Sequence, residues 1–532
     1  MFIAGVIGSF LLYLVIGAVV GRRVKDRSDY FVAGRRAPTL LVAGTLVASF
    51  LSTVAFMGEV GFAYDGFPVV LLIVTALNIS GYVVGVLGFG RYLRRSEVLT
   101  VPEYFGKRFD SRAVQSVSGV MVVVGIGFYL IAVTHGLALV MGQLLGWETW
   151  VSVLVVWLGY TVFTFMSGSQ GILINDTIMF FIFMLAGVGG MSYVVFRAGG
   201  PTEVLDKLRA LPGKPDGLSW HGVTGEGAYL GSPGEVLVWA LAIGLVWMAV
   251  VAVSPWQSSR YLMARDEHVS LRSAFISMGT VGVLYVFLAF GAYAINFFKA
   301  DINPSEVAFI WAAQNLMPPV LGVIAVTGIV AAGLSSASSF LALIGFSVAH
   351  DVLPQSEDAT VPEHVALRRS RLVMLAVGVV VLLVTLVTPP AVLTIGYFAA
   401  TLFAAAWGPV AFWSIRSENL SARGALAGMV AGFVGVGVFS GLKDFAGLDL
   451  PIWAHPVFLG FALSMAATWI ADRGVEPSPA AKAFRAGLLA TPAAERHPRK
   501  LRRTSWIATG TTAAFVAAGL GLLAFYGIPL AL

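Results

Sequence analysis

The sequence contains no cysteine and few charged residues. Only 12% of its 532 residues are charged and 58% are hydrophobic, whereas a soluble globular protein carries about 25% charged residues. The absence of cysteine excludes disulfides, thiolate metal sites and a cysteine nucleophile. A chain this apolar cannot cover itself with polar side chains in water, so the composition predicts a protein that folds in lipid.

Several functional motifs are also missing. There is no G-x-x-x-x-G-K-[ST] nucleotide loop and no polar stretch long enough for a soluble nucleotide-binding domain. H-E-x-x-H and G-x-S-x-G contexts are not evident, and no apolar run carries a repeated polar stripe. These absences disfavour an ATP-driven pump, a membrane hydrolase and a channel. We therefore expect a protein that is not an enzyme.

Apolar runs long enough to cross a bilayer, roughly 17–25 residues each, recur along the whole chain. Lipid tolerates only helices or closed barrels, and no alternating ten-residue pattern suggests a barrel. We expect an all-α, polytopic membrane protein with about fourteen spans. They lie at 2–20, 39–64, 67–90, 113–145, 148–167, 172–196, 236–255, 273–297, 317–349, 372–388, 390–414, 424–440, 452–471 and 505–530.

The basic residues predict the orientation of these spans. If the N-terminus lies outside, the cytoplasmic loops contain 28 of the 34 lysine and arginine residues, as the positive-inside rule requires. No basic residue precedes 2–20, so we expect an uncleaved helix rather than a signal peptide. We expect both termini outside an inner or plasma membrane. The net charge of +6 then orients the protein in lipid, without a nucleic-acid partner. The cytoplasmic loops are 21–38, 91–112, 256–272, 350–371, 415–423 and 473–504.

Few ionisable residues fall inside the predicted spans, where charge is costly and usually functional, and Asp176, Glu59 and His135 are the candidates for a functional role. Asp176 is either a carboxylate satisfied near its helix start or a cation-sensing, gating group. Glu59 is either a paired interfacial acid or a functional one. His135 is either an interhelical hydrogen-bonding residue or a proton relay. The residues alone leave these alternatives open.

Two spans are rich in small hydroxyl side chains, and a third is interrupted by proline. VASFLSTVAFMG (47–58) and VAAGLSSASSFLAL (330–343) offer oxygens to a hard cation such as Na⁺, although small residues also serve helix packing. Pro255 removes a helix hydrogen bond and disfavours helix at Ser254. The second and seventh spans are five apart, and breaks at matching places in two halves indicate a transport site.

Six ordered motifs between about 28 and 430 resemble those of the sodium:solute symporter family, which includes sodium–proline, sodium–pantothenate, cation–acetate and sodium–glucose transporters. They are DYFVAGRR (29–36), VPEYFGKRFDSR (101–112), SGSQGILINDTIM (167–179), SRYLMARDE (259–267), AAGLSSASS (331–339) and WGPVAFWSIRSENLSARGALAGMV (407–430).

The resemblance implies a leucine-transporter-like fold of two inverted five-helix repeats with extra flanking helices. We expect the repeats at 39–196 and 236–416, joined by an external loop at 197–235. An extra helix and cytoplasmic loop would occupy 1–38. Further helices would fill 417–532, with a cytoplasmic linker at 473–504.

The resemblance also implies a Na⁺ site between the first and eighth core helices. By motif, carbonyl oxygens of Ala48, Leu51 and Ala332 and hydroxyls of Ser335 and Ser336 would bind Na⁺. Ser52 would line the same helix break. Asp176 would be the family's helix-five carboxylate, which couples cation binding to gating.

The implied function is Na⁺-coupled import of a small organic solute by alternating access. Phe50 and Ile73 stand where sugar transporters have polar residues, and Phe50 replaces the acid of proline transporters, so we expect a monocarboxylate, another small organic acid or an amino acid. The expected pocket wall is Phe50, Trp247, Trp256 and Tyr397. Na⁺ would be the coupling ion, with no organic cofactor and a monomeric carrier. The alternatives are H⁺ coupling and a transporter-like sensor.

Overall fold

A computed structural model describes residues 2–21, 26–209, 211–353, 363–389, 392–448 and 450–522. Three parts of the predicted topology lie outside the described residues. They are the basic residues Arg22, Arg23 and Lys25, the start of the predicted span 390–414, and the end of the predicted span 505–530.

The first half of the chain forms helices that begin at capping residues or prolines. The Thr100 hydroxyl accepts a hydrogen bond from the backbone N–H of Glu103 and so starts α6. At Gly168 the backbone leaves the helical region (φ 54°, ψ −163°), which separates α8 from α9. The helices are α1 (Phe2–Gly21), α2 (Arg27–Val32), α3 (Thr39–Phe50), α4 (Val54–Tyr64), α5 (Pro68–Arg95), α6 (Val101–Phe109), α7 (Arg112–Leu145), α8 (Thr149–Met166), α9 (Gly168–Arg197) and α10 (Pro201–Arg209).

The second half is also helical, and among the described residues no strand forms. Asp266 caps α13 by accepting a hydrogen bond from the backbone N–H of Val269. The helices are α11 (Pro233–Val253), α12 (Pro255–Met263), α13 (Glu267–Phe297), α14 (Ala308–Asn315), α15 (Pro319–Val352), α16 (Glu363–Val387), α17 (Val392–Arg416), α18 (Ala422–Ala446), α19 (Pro456–Asp472), α20 (Pro479–Leu489) and α21 (Pro498–Leu522).

Hydropathy and length single out the membrane-crossing helices. Within the described ranges, eleven spans are long and apolar enough to cross a bilayer, and the bent α3–α4 pair makes a twelfth. The predicted spans 452–471 and 505–530 correspond to the shorter α19 and to α21. The total of about fourteen therefore stays a prediction. α15 and α17 are the most buried spans and α1 is among the most exposed, so α15 and α17 lie in the interior of the bundle.

Two helices are broken at the predicted places. α3 and α4 meet at an angle of 59°, and α11 ends at Val253, immediately before Pro255 starts α12. The two broken helices are joined at one end, because Ala37 N–H donates to the Met263 carbonyl (3.1 Å) and Arg265 N–H donates to the Ala37 carbonyl (3.0 Å).

The two long connecting segments are more ordered than simple linkers. The segment 197–235 contains α10, and Lys214 Nζ donates to the Tyr64 carbonyl (2.7 Å) at the end of α4. The segment 473–504 contains α20, whose Arg485 donates to the carbonyl of Ile415 (2.8 Å). Arg95, at the end of α5, donates to the carbonyl of Leu488 (2.8 Å). This segment therefore bridges the ends of α5 and α17.

Candidate functional site

The break in the α3–α4 pair exposes backbone oxygens in the middle of the bundle. Leu51 is extended (φ −79°, ψ 122°), so the helical hydrogen-bond pattern stops there. The next helix begins loosely, because Val54–Glu59 is π-helical. The Ser52 hydroxyl accepts a hydrogen bond from the Val54 N–H (3.1 Å), which satisfies one donor at the new helix start.

α15 packs directly against this break. A Cβ on Gly333 would lie 2.8 Å from Cγ2 of Thr53, so only glycine permits this approach. Ser336 Oγ donates a hydrogen bond to the Leu51 carbonyl (3.1 Å). The other predicted ion ligands, Ala48, Ala332 and Ser335, are fully buried on the same two helices. The structure therefore brings a hydroxyl of α15 to a carbonyl of the break.

Asp176 on α9 lies beside this region and accepts hydrogen bonds on both carboxylate oxygens. Ser335 Oγ donates to Oδ1 (2.7 Å), and Thr45 Oγ1 donates to Oδ2 (2.5 Å). Gly44 allows the close approach of α3 and α9, because a Cβ there would lie 2.8 Å from Thr177 Oγ1. The carboxylate thus links α9 to α3 and α15, and its hydrogen-bond partners are side chains of those two helices rather than groups at the start of α9.

Arg260 was counted among the orienting charges of the loop 256–272, and that interpretation is wrong. The structure buries its side chain in α12, where Nη2 lies 3.6 Å from Asp176 Oδ2 and donates to Ser339 Oγ (2.5 Å). Pro255 causes this placement, because it starts a new helix one turn before Arg260. Ser339 lies four residues after Ser335, so both face Asp176 and Arg260 on one side of α15.

The four predicted pocket residues fall into separate places. Trp247 and Tyr397 pack edge to face, with ring centroids 5.1 Å apart, and line one cavity. Trp256 packs instead against Tyr129 and Phe340, with centroids at 5.3 and 5.8 Å. Phe50 contacts Tyr82 and Tyr285 and lies outside the lining of that cavity.

Two cavities lie at opposite ends of the broken helices. The Glu59 cavity has a volume of about 490 Å³ and is lined by Glu59, Trp247, Tyr397 and residues of the segments 229–246 and 450–456. The Arg260 cavity, of only about 20 Å³, is lined by Arg260, Ser259, Ser339 and residues of α6 and α9. The cavity at one end of the broken helices is therefore many times larger than the cavity at the other end.

The two other ionisable residues within spans also have defined contacts. Tyr285 Oη donates to Glu59 Oε2, and Tyr397 Oη donates to Oε1 (3.4 Å), so Glu59 is a buried acid that joins α4 to α13 and α17. His135 Nε2 lies 3.0 Å from the Thr385 carbonyl of α16, which is an interhelical contact. Sequence reasoning missed Thr45, Arg260, Ser339 and Tyr285, since only tertiary packing identifies them.

This chain is similar in sequence to two known transporters whose solutes are named. It is 24% identical over 469 residues to the sodium/proline symporter of Salmonella typhimurium, covering 82% of this chain and 86% of that protein. It is 23% identical over 329 residues to the sodium-coupled monocarboxylate transporter 1 of Xenopus laevis, covering 58% of this chain and 49% of that protein. Their solutes differ, so the resemblance does not identify the solute of this chain.

A solved structure shares the fold. The substrate-bound, outward-open state of a Na⁺-coupled sialic acid symporter superposes with a TM-score of 0.73 at 19% identity, covering 90% of this chain and 98% of that one. The predicted leucine-transporter-like, all-α fold is thereby confirmed. The eleven apolar spans and the relatives together identify a multi-pass membrane protein.

A family match covers both helix breaks and the Asp176 contacts described above. The sequence model of the sodium:solute symporter family matches residues 30–432, well over half of the chain. This match contains both helix breaks, the Asp176–Arg260 contact and the serines of α15, so Na⁺-coupled solute transport is the activity shared with its relatives. On this evidence the protein belongs to the sodium:solute symporter family.

Proposed function

We propose that this protein imports a small organic solute, either a monocarboxylate, another small organic acid or an amino acid, by Na⁺-coupled alternating access. The observation that carries the proposal is the Ser336 hydroxyl at the Leu51 carbonyl, 3.1 Å apart, where α3 breaks. Two oxygens so close, both buried and neutral, suit a small hard cation, which prefers oxygen ligands.

In the proposed ion site, Na⁺ binds the carbonyl oxygens of Ala48, Leu51 and Ala332 and the hydroxyls of Ser335 and Ser336. The break supports this role because residues at the end of a helix leave carbonyls without intrahelical partners. Na⁺ bound there holds α15 to both halves of the broken helix. Ser52 lines the break and caps α4.

Asp176 is proposed to couple this site to gating. Ser335 is both a proposed Na⁺ ligand and a donor to Asp176, because its O–H donates to the carboxylate while the lone pairs of the same oxygen can bind the cation. Arg260, on α12, is the cation nearest to Asp176 in the structure. A change in the Ser335 hydrogen bond therefore changes how strongly Asp176 interacts with Arg260 of the second broken helix. A ligand shifts a conformational equilibrium only through such differential contacts.

The unequal cavities support an outward-facing state. If both termini lie outside, the Glu59 cavity opens to the exterior and the Arg260 cavity faces the cytoplasm. We propose that Trp247 and Tyr397 contact the solute as it enters, and that Phe50 and Trp256 line its deeper path. We also propose inverted repeats at 39–196 and 236–416, a monomeric carrier, and no catalytic activity.

Counterflow in proteoliposomes tests the proposal. Vesicles preloaded with one unlabelled solute from a panel of monocarboxylates, amino acids and pantothenate are diluted into trace labelled solute, with or without Na⁺. The proposal predicts Na⁺-dependent accumulation of at least one of these solutes. Accumulation that follows a pH gradient and ignores Na⁺ would favour the H⁺-coupled alternative. The absence of counterflow by any solute of the panel would contradict the proposed solute class.

A further inference from the structure

The Glu59 cavity contains a buried carboxylate without a basic partner. Glu59 lies in α4, 8% exposed, and lines the cavity. Its two oxygens accept hydrogen bonds from Tyr285 on α13 and Tyr397 on α17. Among the residues that the structure describes, no lysine or arginine forms an ion pair with it. Within the described part of the chain, the carboxylate therefore has only neutral hydroxyl partners.

A carboxylate in this setting still has capacity for a cation. Each carboxylate oxygen has two lone pairs, so one phenolic donor leaves a further acceptor position on each. A buried charge costs several kcal/mol unless it is paired. Lys443 also lines the cavity, but its side chain is exposed and remains hydrated. A positive group that enters the cavity would complete the site.

Aromatic rings form much of the wall around this carboxylate. Trp247 and Tyr397 have centroids 5.1 Å apart, and Tyr229 packs against Phe62 at 5.1 Å and Trp239 at 4.8 Å. Ring faces attract organic cations, which shed water more readily than Na⁺ does. The cavity volume of about 490 Å³ suits a small organic molecule.

We propose that the Glu59 cavity binds the cationic nitrogen of the transported solute, as an ammonium or alkylammonium group held by Glu59 and the rings of Trp247 and Tyr397. The inference rests on the proposed function and narrows its solute class. Solutes with a positively charged nitrogen, such as amino acids and betaines, are favoured over simple monocarboxylates.

Matched pairs of probes test this inference by equilibrium binding. Betaine and 3,3-dimethylbutanoate differ only in the exchange of a charged nitrogen for carbon, and so do proline and cyclopentanecarboxylate. Isothermal titration calorimetry of the purified full-length protein in NaCl measures all four. At least one nitrogen compound should bind about tenfold or more tightly than its carbon analogue, a difference of about 1.4 kcal/mol, because the carboxylate and the ring faces both attract the cation.

Variants of Glu59 test whether this residue causes the preference for nitrogen compounds. In Glu59→Gln, the affinities for the nitrogen compound that binds and for its carbon analogue should differ by no more than about twofold. Glu59→Asp should still bind the nitrogen compound more tightly. Glu306→Gln, which changes an acid outside the cavity lining, should behave as wild type. The inference would be overturned if the wild type bound both members of each pair equally or bound no probe. It would also be overturned if Glu59→Gln kept the full preference for the nitrogen compound. The wild-type comparison decides even where a variant does not fold.

The same experiment separates this inference from the proposed transport function. Binding is measured at equilibrium, without an ion gradient, so a protein that fails Na⁺-driven uptake can still prefer the nitrogen compounds. A protein that takes up a monocarboxylate with Na⁺ and ignores charged nitrogen would overturn this inference alone.

Discussion

Asp176 and Arg260 form a buried ion pair that joins α9 to α12. Oδ2 and Nη2 are 3.6 Å apart, and both side chains are almost inaccessible. Since Asp176 also accepts hydrogen bonds from Thr45 and Ser335, four helices of the bundle meet at one carboxylate. Both broken helices take part, through α3 and α12, so this contact is a second link between them beside the Ala37 hydrogen bonds.

Removal of Arg260 alone should destabilise the protein more than removal of both charges. Arg260→Gln leaves the Asp176 carboxylate buried without a cation, at a cost of about 3–5 kcal/mol. The double variant Arg260→Gln, Asp176→Asn should recover much of the lost melting temperature, because neither charge is then unpaired. Thermal unfolding in detergent compares the wild type, both single variants and the double variant. Additive losses in the double variant would mean that the two side chains act independently.

Ser336→Ala should raise the Na⁺ concentration for half-maximal uptake about tenfold. The loss of one oxygen ligand costs about 1–3 kcal/mol, and 1.4 kcal/mol is a factor of ten. Ser338→Ala is the matched control, since Ser338 Oγ donates to the Ser335 carbonyl of its own helix (3.0 Å). Titration of uptake against Na⁺ in proteoliposomes compares them. An unchanged Na⁺ dependence in Ser336→Ala would reduce the serine to a helix-packing role.

Asp176→Asn should leave the protein inserted but slow the release of solute inside. The amide keeps the size and one acceptor oxygen of the carboxylate, while the charge opposite Arg260 is lost. Solute binding from outside should persist, with an altered apparent Na⁺ affinity. Efflux rates from preloaded vesicles at equal expression measure this step, and Asp65→Asn at the end of α4 is the control. Wild-type efflux and Na⁺ dependence would return Asp176 to a purely structural role.

Glu103 should make stability depend on pH. Burial raises the pKa of this α6 carboxyl, but hydrogen bonds and charge from His350 and hydrogen bonds from Lys107 and the Leu99 N–H outweigh burial and lower the pKa from 4.5 to about 2. A group whose pKa is lower in the folded state stabilises the protein above its unfolded pKa, and that contribution is lost as pH falls from about 4.5 toward 2.

Glu103→Gln should therefore lower the melting temperature at pH 7, by the equivalent of about 1–3 kcal/mol. The difference from wild type should shrink as the pH falls below about 4.5. Glu226→Gln, an exposed acid of the segment 197–235, should match wild type throughout. A constant difference between wild type and Glu103→Gln across this pH range would show that Glu103 acts through packing alone.

The sequence was sufficient for the helices and for the break at Pro255, because these are local properties, whereas the α3–α4 break was expected only from the family resemblance. Long apolar runs determine the spans, and Pro255 alone predicts the start of α12. Arg260 shows what local patterns miss. Its charge fits a cytoplasmic loop, and only the packing of α12 against α9 and α15 brings it to Asp176. The contact of Thr45 could not be predicted for the same reason, because one threonine in an apolar span does not indicate which helix it faces.

The pocket residues show a second limit. Four aromatic residues were grouped by register, yet Trp247 and Tyr397 line the Glu59 cavity while Trp256 packs deeper, on Tyr129 and Phe340. The Pro255 break separates Trp247 on α11 from Trp256 on α12, and Tyr397 packs against Trp247 from α17. Neither can be read from the spacing of aromatic residues along separate helices.

The most direct test of the account is uptake driven by a Na⁺ gradient alone. Proteoliposomes containing the purified protein are diluted into NaCl or choline chloride, with pH and membrane potential clamped, and labelled solute identified by counterflow is followed. We expect transient accumulation above the external concentration in NaCl and only equilibration in choline. Equal uptake in both media would contradict the claim that Na⁺, bound between the α3–α4 break and α15, drives this transporter.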